Sequence, residues 1–319
     1  MIKASAAESS SFGMNTKITY SVFGENAQQA LLSGKNEIMR LEKKLSRFVQ
    51  QSEISRVNKS AGKSCKNLSD DTYNLLSQAV EFSKISQGLF DITIGPLVDL
   101  WNYKYAADVP LEETIQKTIP LVNYRNLVLN PHKRTAGLRR LGQSIDLGGI
   151  GKGFASDRFI QIIRKYGVSS AFTNIGGNVS ALGNKPDGSP WCVGIRHPRD
   201  KNSLIGAVTV SGKSVVTSGD YERYFIDSDG KRRHHILDPN TGYPAESGLI
   251  SVTIIADSAV TADALSTCVF AAGLEKGLLI LKKFSEAEAV IVNSDLRIYM
   301  TQGMRGCFQS ADGSKIKQL

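Results

Sequence analysis

The sequence predicts an α+β fold organised as one large domain. Segments with helical and strand periodicity are intermixed without a regular βαβ beat, which disfavours a doubly wound parallel sheet. No repeat recurs at a fixed period, and no linker rich in Pro, Gly or Ser divides the 319 residues. Residues 1–13 read as a flexible tail. From Asn26 to about Phe48, Ala30, Leu31, Ile38, Leu41 and Leu45 recur at helical spacing with charges between them, predicting a long amphipathic helix. A second helix starts near Ser69, where Ser and Asp supply cap chemistry, and stops at Gly88. A third follows Gly151 and ends at Gly167, a fourth begins near Thr261 and a fifth near Leu274. Strand-like runs cover 17–23, 125–129, 171–175, 190–196, 205–210, 249–255, 287–293 and 296–300.

Composition narrows the function classes. Hydrophobic residues make up 41% and charged residues 22%, as in a globular protein. No run of 18 apolar residues occurs: Leu265 to Leu281 is interrupted by Glu275 and Lys276, so no membrane span is expected. The start, MIKASAAESSSFGM, lacks the apolar core of a secretory signal, which points to the cytoplasm or to a leader already removed. Cys65, Cys192, Cys268 and Cys307 form no CxxC pair, as suits a reducing compartment. The net charge is +9 but is spread along the chain. Its densest run is Lys231 to His235, too short to argue for nucleic acid.

Four segments carry chemistry. Residues 146–157, DLGGIGKGFASD, place four glycines ahead of a helix, where backbone amides and Lys152 could receive an anion. The segment fails the Walker A pattern and the dinucleotide fingerprint, so a plain glycine-rich turn stays open. A second cluster, NIGGN at 174–178, is by itself a turn; with the first it suggests a phosphate cradle. Asp263 and Thr267, at i and i+4, project from one helical face as hard oxygen ligands suited to Mg²⁺. The alternative makes Thr261 the N-cap and Asp263 a partner of the helix dipole. His234 and His235 precede a turn, and either imidazole could take a proton from a hydroxyl. No HExxH or GxSxG pattern is present.

Eight ordered blocks are more specific than any one of them: SFGMNT (11–16), SEISR (52–56), GLFDITIGPLVDLW (88–101), DLGGIGKGFASD (146–157), NIGGN (174–178), TSGDYERYF (217–225), HHILDPNTGYP (234–244) and ADALST (262–267). Together they resemble the ApbE family of FAD:protein FMN transferases over about residues 11–308. The resemblance implies a single α+β domain at 14–308, with mixed or antiparallel sheets flanked by helices and related to the T-fold, followed by a tail at 309–319. It implies Mg²⁺-dependent transfer of FMN from FAD to a Thr or Ser hydroxyl of an acceptor flavoprotein through a phosphoester bond, releasing AMP. Carried onto this chain, Gly151, Asp263 and Thr267 would hold the metal, with Ser266 weaker. Met14, Phe48, Leu89, Phe90, Asp91, Gly148, Lys152 and Phe154 would contact FAD. His235 would act as base beside Asp263, with His234 left ambiguous. FAD is then a substrate, and neither nucleic acid nor a membrane is an expected partner. The lack of a lipid-bearing Cys near the start places the acceptor among cytoplasmic flavoproteins. An Mg²⁺-dependent FAD pyrophosphatase, or a non-catalytic flavin binder, is the alternative.

Overall fold

The protein was analysed as a computed structural model, which describes residues 5–103, 105, 108–311 and 316–319. Helices are α1 (Ala27–Leu45), α2 (Glu53–Lys59), α3 (Asp70–Ile85), α4 (Gly95–Trp101), α5 (Glu112–Thr118), α6 (Gly151–Arg164) and α7 (Ala259–Leu281). Strands are β1 (Ala6–Gly13), β2 (Thr16–Phe23), β3 (Lys66–Asn67), β4 (Leu127–Asn130), β5 (Thr135–Leu138), β6 (Ser170–Ile175), β7 (Asn178–Leu182), β8 (Trp191–Arg196) and β9 (Leu204–Val210). They continue as β10 (Ser214–Gly219), β11 (Tyr224–Ile226), β12 (Arg232–His234), β13 (Leu249–Ala256), β14 (Glu288–Asn293), β15 (Ile298–Met300), β16 (Phe308–Ser310) and β17 (Ile316–Gln318).

Nine strands form one sheet in the order β1-β2-β6-β7-β10-β13-β14-β15-β17, antiparallel except for β15 with β17. One face carries the helices: α1 packs on α6, α6 on α7, and α7 on β10 and β13. The other face is covered by a small sheet, β16-β9-β8. All eight residues of β13 are buried because both faces are covered; alternation sends Val252 and Ile254 to the helical core and Ile255 to the second, and the register irregularity between Leu249 and Ser251 puts Ile250 in the second as well. This is the expected α+β class.

The tails differ from expectation. Ala6–Gly13 pairs with β2 along its full length, from Ala6 opposite Phe23 to Gly13 opposite Thr16. Gln309 and Ser310 complete β16 against β9, and Ile316–Gln318 lie parallel to β15. Short Ser-rich or charged strands carry little apolar pattern of their own, so the ladder bonds offered by a neighbouring strand decide their conformation. Tail residues 1–4 and 312–315 lie outside the described ones. The two helices expected near Thr261 and Leu274 are the halves of α7, which breaks at Gly273 (φ 77°, ψ 176°). By length and composition alone α7 could cross a membrane, with a mean hydropathy of 1.6; here Leu265, Val269 and Phe270 sit in the helical core.

Candidate active site

The site grows from the contact between α6 and α7. Asp157 of α6 reaches across to the start of α7, where its carboxylate accepts bonds from Ser258 Oγ (2.8 Å), Ala259 N (2.7 Å) and Val260 N (3.0 Å). Ser258 is the N-cap; the Thr261 amide donates to its hydroxyl, so Thr261 is not the cap. One turn earlier in α6, a β-carbon on Gly153 would lie 2.3 Å from the Ala259 carbonyl oxygen. Only glycine allows this approach. It lets the Gly153 amide donate to Asp263 Oδ2 at 2.9 Å. Asp263, 3% exposed, keeps for Oδ1 only a 3.5 Å contact with Lys152 Nζ, which also donates to the Gly148 carbonyl at 3.0 Å.

Hydroxyls gather beside this carboxylate. Ser266 Oγ donates to the Asp263 carbonyl at 2.8 Å and lies 2.8 Å from Ser218 Oγ of β10, which is 3.4 Å from Thr267 Oγ1. The glycine-rich loop closes over Thr267 at Gly149, where a β-carbon would sit 3.3 Å from Thr267 Oγ1 and 3.1 Å from the Phe90 ring. At Gly151, the glycine expected to offer its backbone oxygen to a metal, a β-carbon would face Leu147 and the Met14 methyl at 3.6 and 3.8 Å. Gly151 opens α6, two residues before the Gly153 amide that Asp263 engages.

The expected flavin contacts divide. Met14 and Asn15, with φ of 52° and 59°, form the two-residue turn between β1 and β2, and the Met14 amide donates to Glu42 Oε1 at 2.9 Å. Phe48 is 76% exposed with the Arg47 guanidinium 5.6 Å from its ring centroid. Arg47 also binds Asp99 and, at 3.0 Å, Asp146, whose other oxygen accepts the Gly148 amide at 2.7 Å. Phe90 and Phe154, by contrast, are buried in the helical core. Leu89 is half-buried. The Asp91 carboxylate is fully engaged by Thr93 N and Oγ1 (both 2.7 Å) and Tyr124 N (2.6 Å); burial nevertheless raises its pKa. It organises its own loop.

The two imidazoles are not equivalent. His234 is buried: Nε2 donates to the Ala245 carbonyl (3.2 Å), Nδ1 accepts the Ile236 amide (3.3 Å), and the ring stands edge-on to Phe270. Both nitrogens are used. His235 is half-buried, and Nδ1 meets only the Arg223 carbonyl, at 3.2 Å. A carbonyl cannot donate, so Nδ1 carries the hydrogen and Nε2 presents a lone pair. Burial, then the positive Arg223, then His234 push the His235 pKa well below its ordinary value, with Lys152 acting in the same direction. The ring is neutral at pH 7.

Ser218, Gly149, Asp146 and Asp157 belong to this arrangement but were not singled out from the sequence. Each lies inside a recognised block, yet no spacing rule marks it. Among the described residues no group of three His, Cys, Asp or Glu side chains gathers as a metal site. One carboxylate with hydroxyl and carbonyl oxygens still suits a hard cation that shares its shell with phosphate and water. Asp263 Oδ1, buried and short of bonds, is the observation that fits.

A model described as the ApbE family matches residues 14–291. An FAD:protein FMN transferase of Klebsiella pneumoniae is 35% identical over 264 residues, covering 82% of this chain and 81% of its own length. Another, of Treponema pallidum, is 35% identical over 272 residues, covering 79% and 74%. Among solved structures, the ApbE protein of Thermotoga maritima superposes with a TM-score of 0.88 at 33% identity, covering 96% of this chain and 100% of that one.

Proposed function

The chain belongs to the ApbE family, and on that premise we propose that it transfers FMN from FAD to a Thr or Ser hydroxyl of an acceptor flavoprotein, through a phosphoester bond and with release of AMP. The observation that carries this reading is the meeting of Asp263, Thr267 and Ser218 oxygens with the Gly149 loop, near a neutral imidazole whose Nε2 is free. Asp263, Thr267 and the carbonyl of Gly151 would hold Mg²⁺, whose charge would offset that of the pyrophosphate. Ser266 donates into its own helix and supports Ser218 instead.

The chain's own groups then have defined tasks. Lys152, beside the Gly148 carbonyl, brings positive charge to the leaving phosphate. His235 Nε2 accepts the proton of the acceptor hydroxyl as its oxygen bonds to the FMN phosphorus. The bond from that phosphorus to the AMP oxygen breaks, and AMP leaves with the electron pair. Phe48, exposed beside Arg47, offers a face for a flat ring. We place the acceptor in the cytoplasm, consistent with four free cysteines.

Incubation with FAD, Mg²⁺ and an acceptor flavoprotein should leave flavin fluorescence on the acceptor after denaturation, with one AMP per flavin attached. Free FMN and AMP alone would establish the pyrophosphatase instead. Intact FAD would establish a binder.

A further inference from the structure

The cation next to His235 has no task in the reaction above. Across the β11–β12 hairpin Tyr224 stands opposite His234 and Phe225 opposite Arg233, so the next pair outward is Arg223 and His235. The His235 amide donates to the Arg223 carbonyl at 3.0 Å, which holds that register. Opposed residues of an antiparallel pair project from one face, with β-carbons about 4.5–5.5 Å apart. Arg223 and the candidate base therefore share a face.

The guanidinium is exposed, and both acids beside it in sequence are occupied by other arginines. Asp220 is 6% exposed and takes Arg199 bidentately at 2.7 and 2.8 Å, with Arg232 at 4.0 Å. Glu222 pairs with Arg196 at 2.8 Å. Among the described residues Arg223 has no carboxylate partner. Lys152, from α6, brings a second positive charge within electrostatic reach of the same imidazole. Two cations from separate elements thus act on one base, and neither Arg223 nor the ring is neutralised by an acid.

Transfer requires the phosphorus to lie within bonding distance of the hydroxyl whose proton His235 takes, which brings the phosphoryl oxygens beside this arginine. A planar fork of N–H donors matches such oxygens better than a point charge does. Building on the transferase reading, we propose that Arg223 is a further catalytic residue, contacting the non-bridging oxygens of the phosphoryl group as it passes from FAD to the acceptor.

The test compares wild type, Arg223→Gln and Arg223→Lys in their binding of FMN and of riboflavin, followed by flavin fluorescence, and in transfer rate. Arg223→Gln should weaken FMN binding roughly tenfold or more, as for a lost charge-assisted bond, with riboflavin binding and thermal midpoint unchanged. Its kcat should fall about 100-fold, and Arg223→Lys should recover part of both losses. Equal affinities of wild type and Arg223→Gln for FMN would overturn the assignment. So would unchanged flavin affinities with a raised KM for the acceptor, which would place an acidic group of the acceptor on Arg223. Wild type that attaches no flavin defeats the transferase reading separately, because the FMN-to-riboflavin comparison needs no turnover.

Discussion

Gly153 and Asp263 are joined by a 2.9 Å bond from the amide of one to Oδ2 of the other, across the contact between α6 and α7. This bond aims the carboxylate while leaving its second oxygen short of partners.

Replacing Gly153 with Ala should therefore damage stability and site together. The added methyl would meet the Ala259 carbonyl at 2.3 Å, forcing the helices apart at a cost of about 1–3 kcal/mol. Gly151→Ala is the control, since its methyl finds nothing nearer than 3.6 Å. Urea midpoints that fall equally for both variants would contradict this account of the packing.

Asp263→Asn preserves shape and an acceptor for Gly153 but removes the charge. Mg²⁺-dependent transfer should drop at least about 100-fold, equivalent to about 2.7 kcal/mol of transition-state stabilisation. The melting temperature should change little. Wild-type transfer by this variant would exclude Asp263 as a metal ligand.

His235→Ala and His234→Ala should fail in different ways. The first should lower kcat by about 10²–10⁴-fold while flavin still binds. The second strips partners from the buried Ala245 carbonyl and Ile236 amide, costing about 1–3 kcal/mol of stability. Comparing kcat with the denaturation midpoint separates them; a reversed pattern would make His234 the base.

The pH profile should follow the same environment. Burial, Arg223, His234 and Lys152 all lower the His235 pKa, against one raising bond to the Arg223 carbonyl. Protonation of the base is thus postponed to lower pH, and the acid limb of kcat/KM should lie well below about 6.5. Arg223→Gln removes one positive neighbour and should move that limb upward. For folding the sign is the same. Below about pH 6.5 the unfolded chain binds protons that native His234 and His235 resist, so stability falls as pH falls. A wild-type acid limb at or above 6.5 would remove the neutral imidazole from the mechanism.

Asp157→Ala should cost about 1–2 kcal/mol by uncapping α7, and Mg²⁺ affinity measured by calorimetry should weaken with it. Unchanged affinity would show that the cap stabilises the helix without aiming Asp263.

Local spacing made much of this protein legible in its sequence. The apolar rhythm of α1, the stop at Gly88, the glycine loop ahead of α6 and the one-turn separation of Asp263 from Thr267 each follow from the period of a single element. The pairing of β1 was not legible, because its Ser-rich residues have no pattern beyond the strand that receives them. Nor was the choice between His234 and His235, adjacent residues that a hairpin turns toward different surroundings. The tertiary structure also closes Gly149 over Thr267, brings Ser218 to Thr267 and sends Asp157 to cap a helix some hundred residues away. These are contacts between elements. They depend on how closely helices and sheet pack, and one-dimensional spacing does not encode that distance.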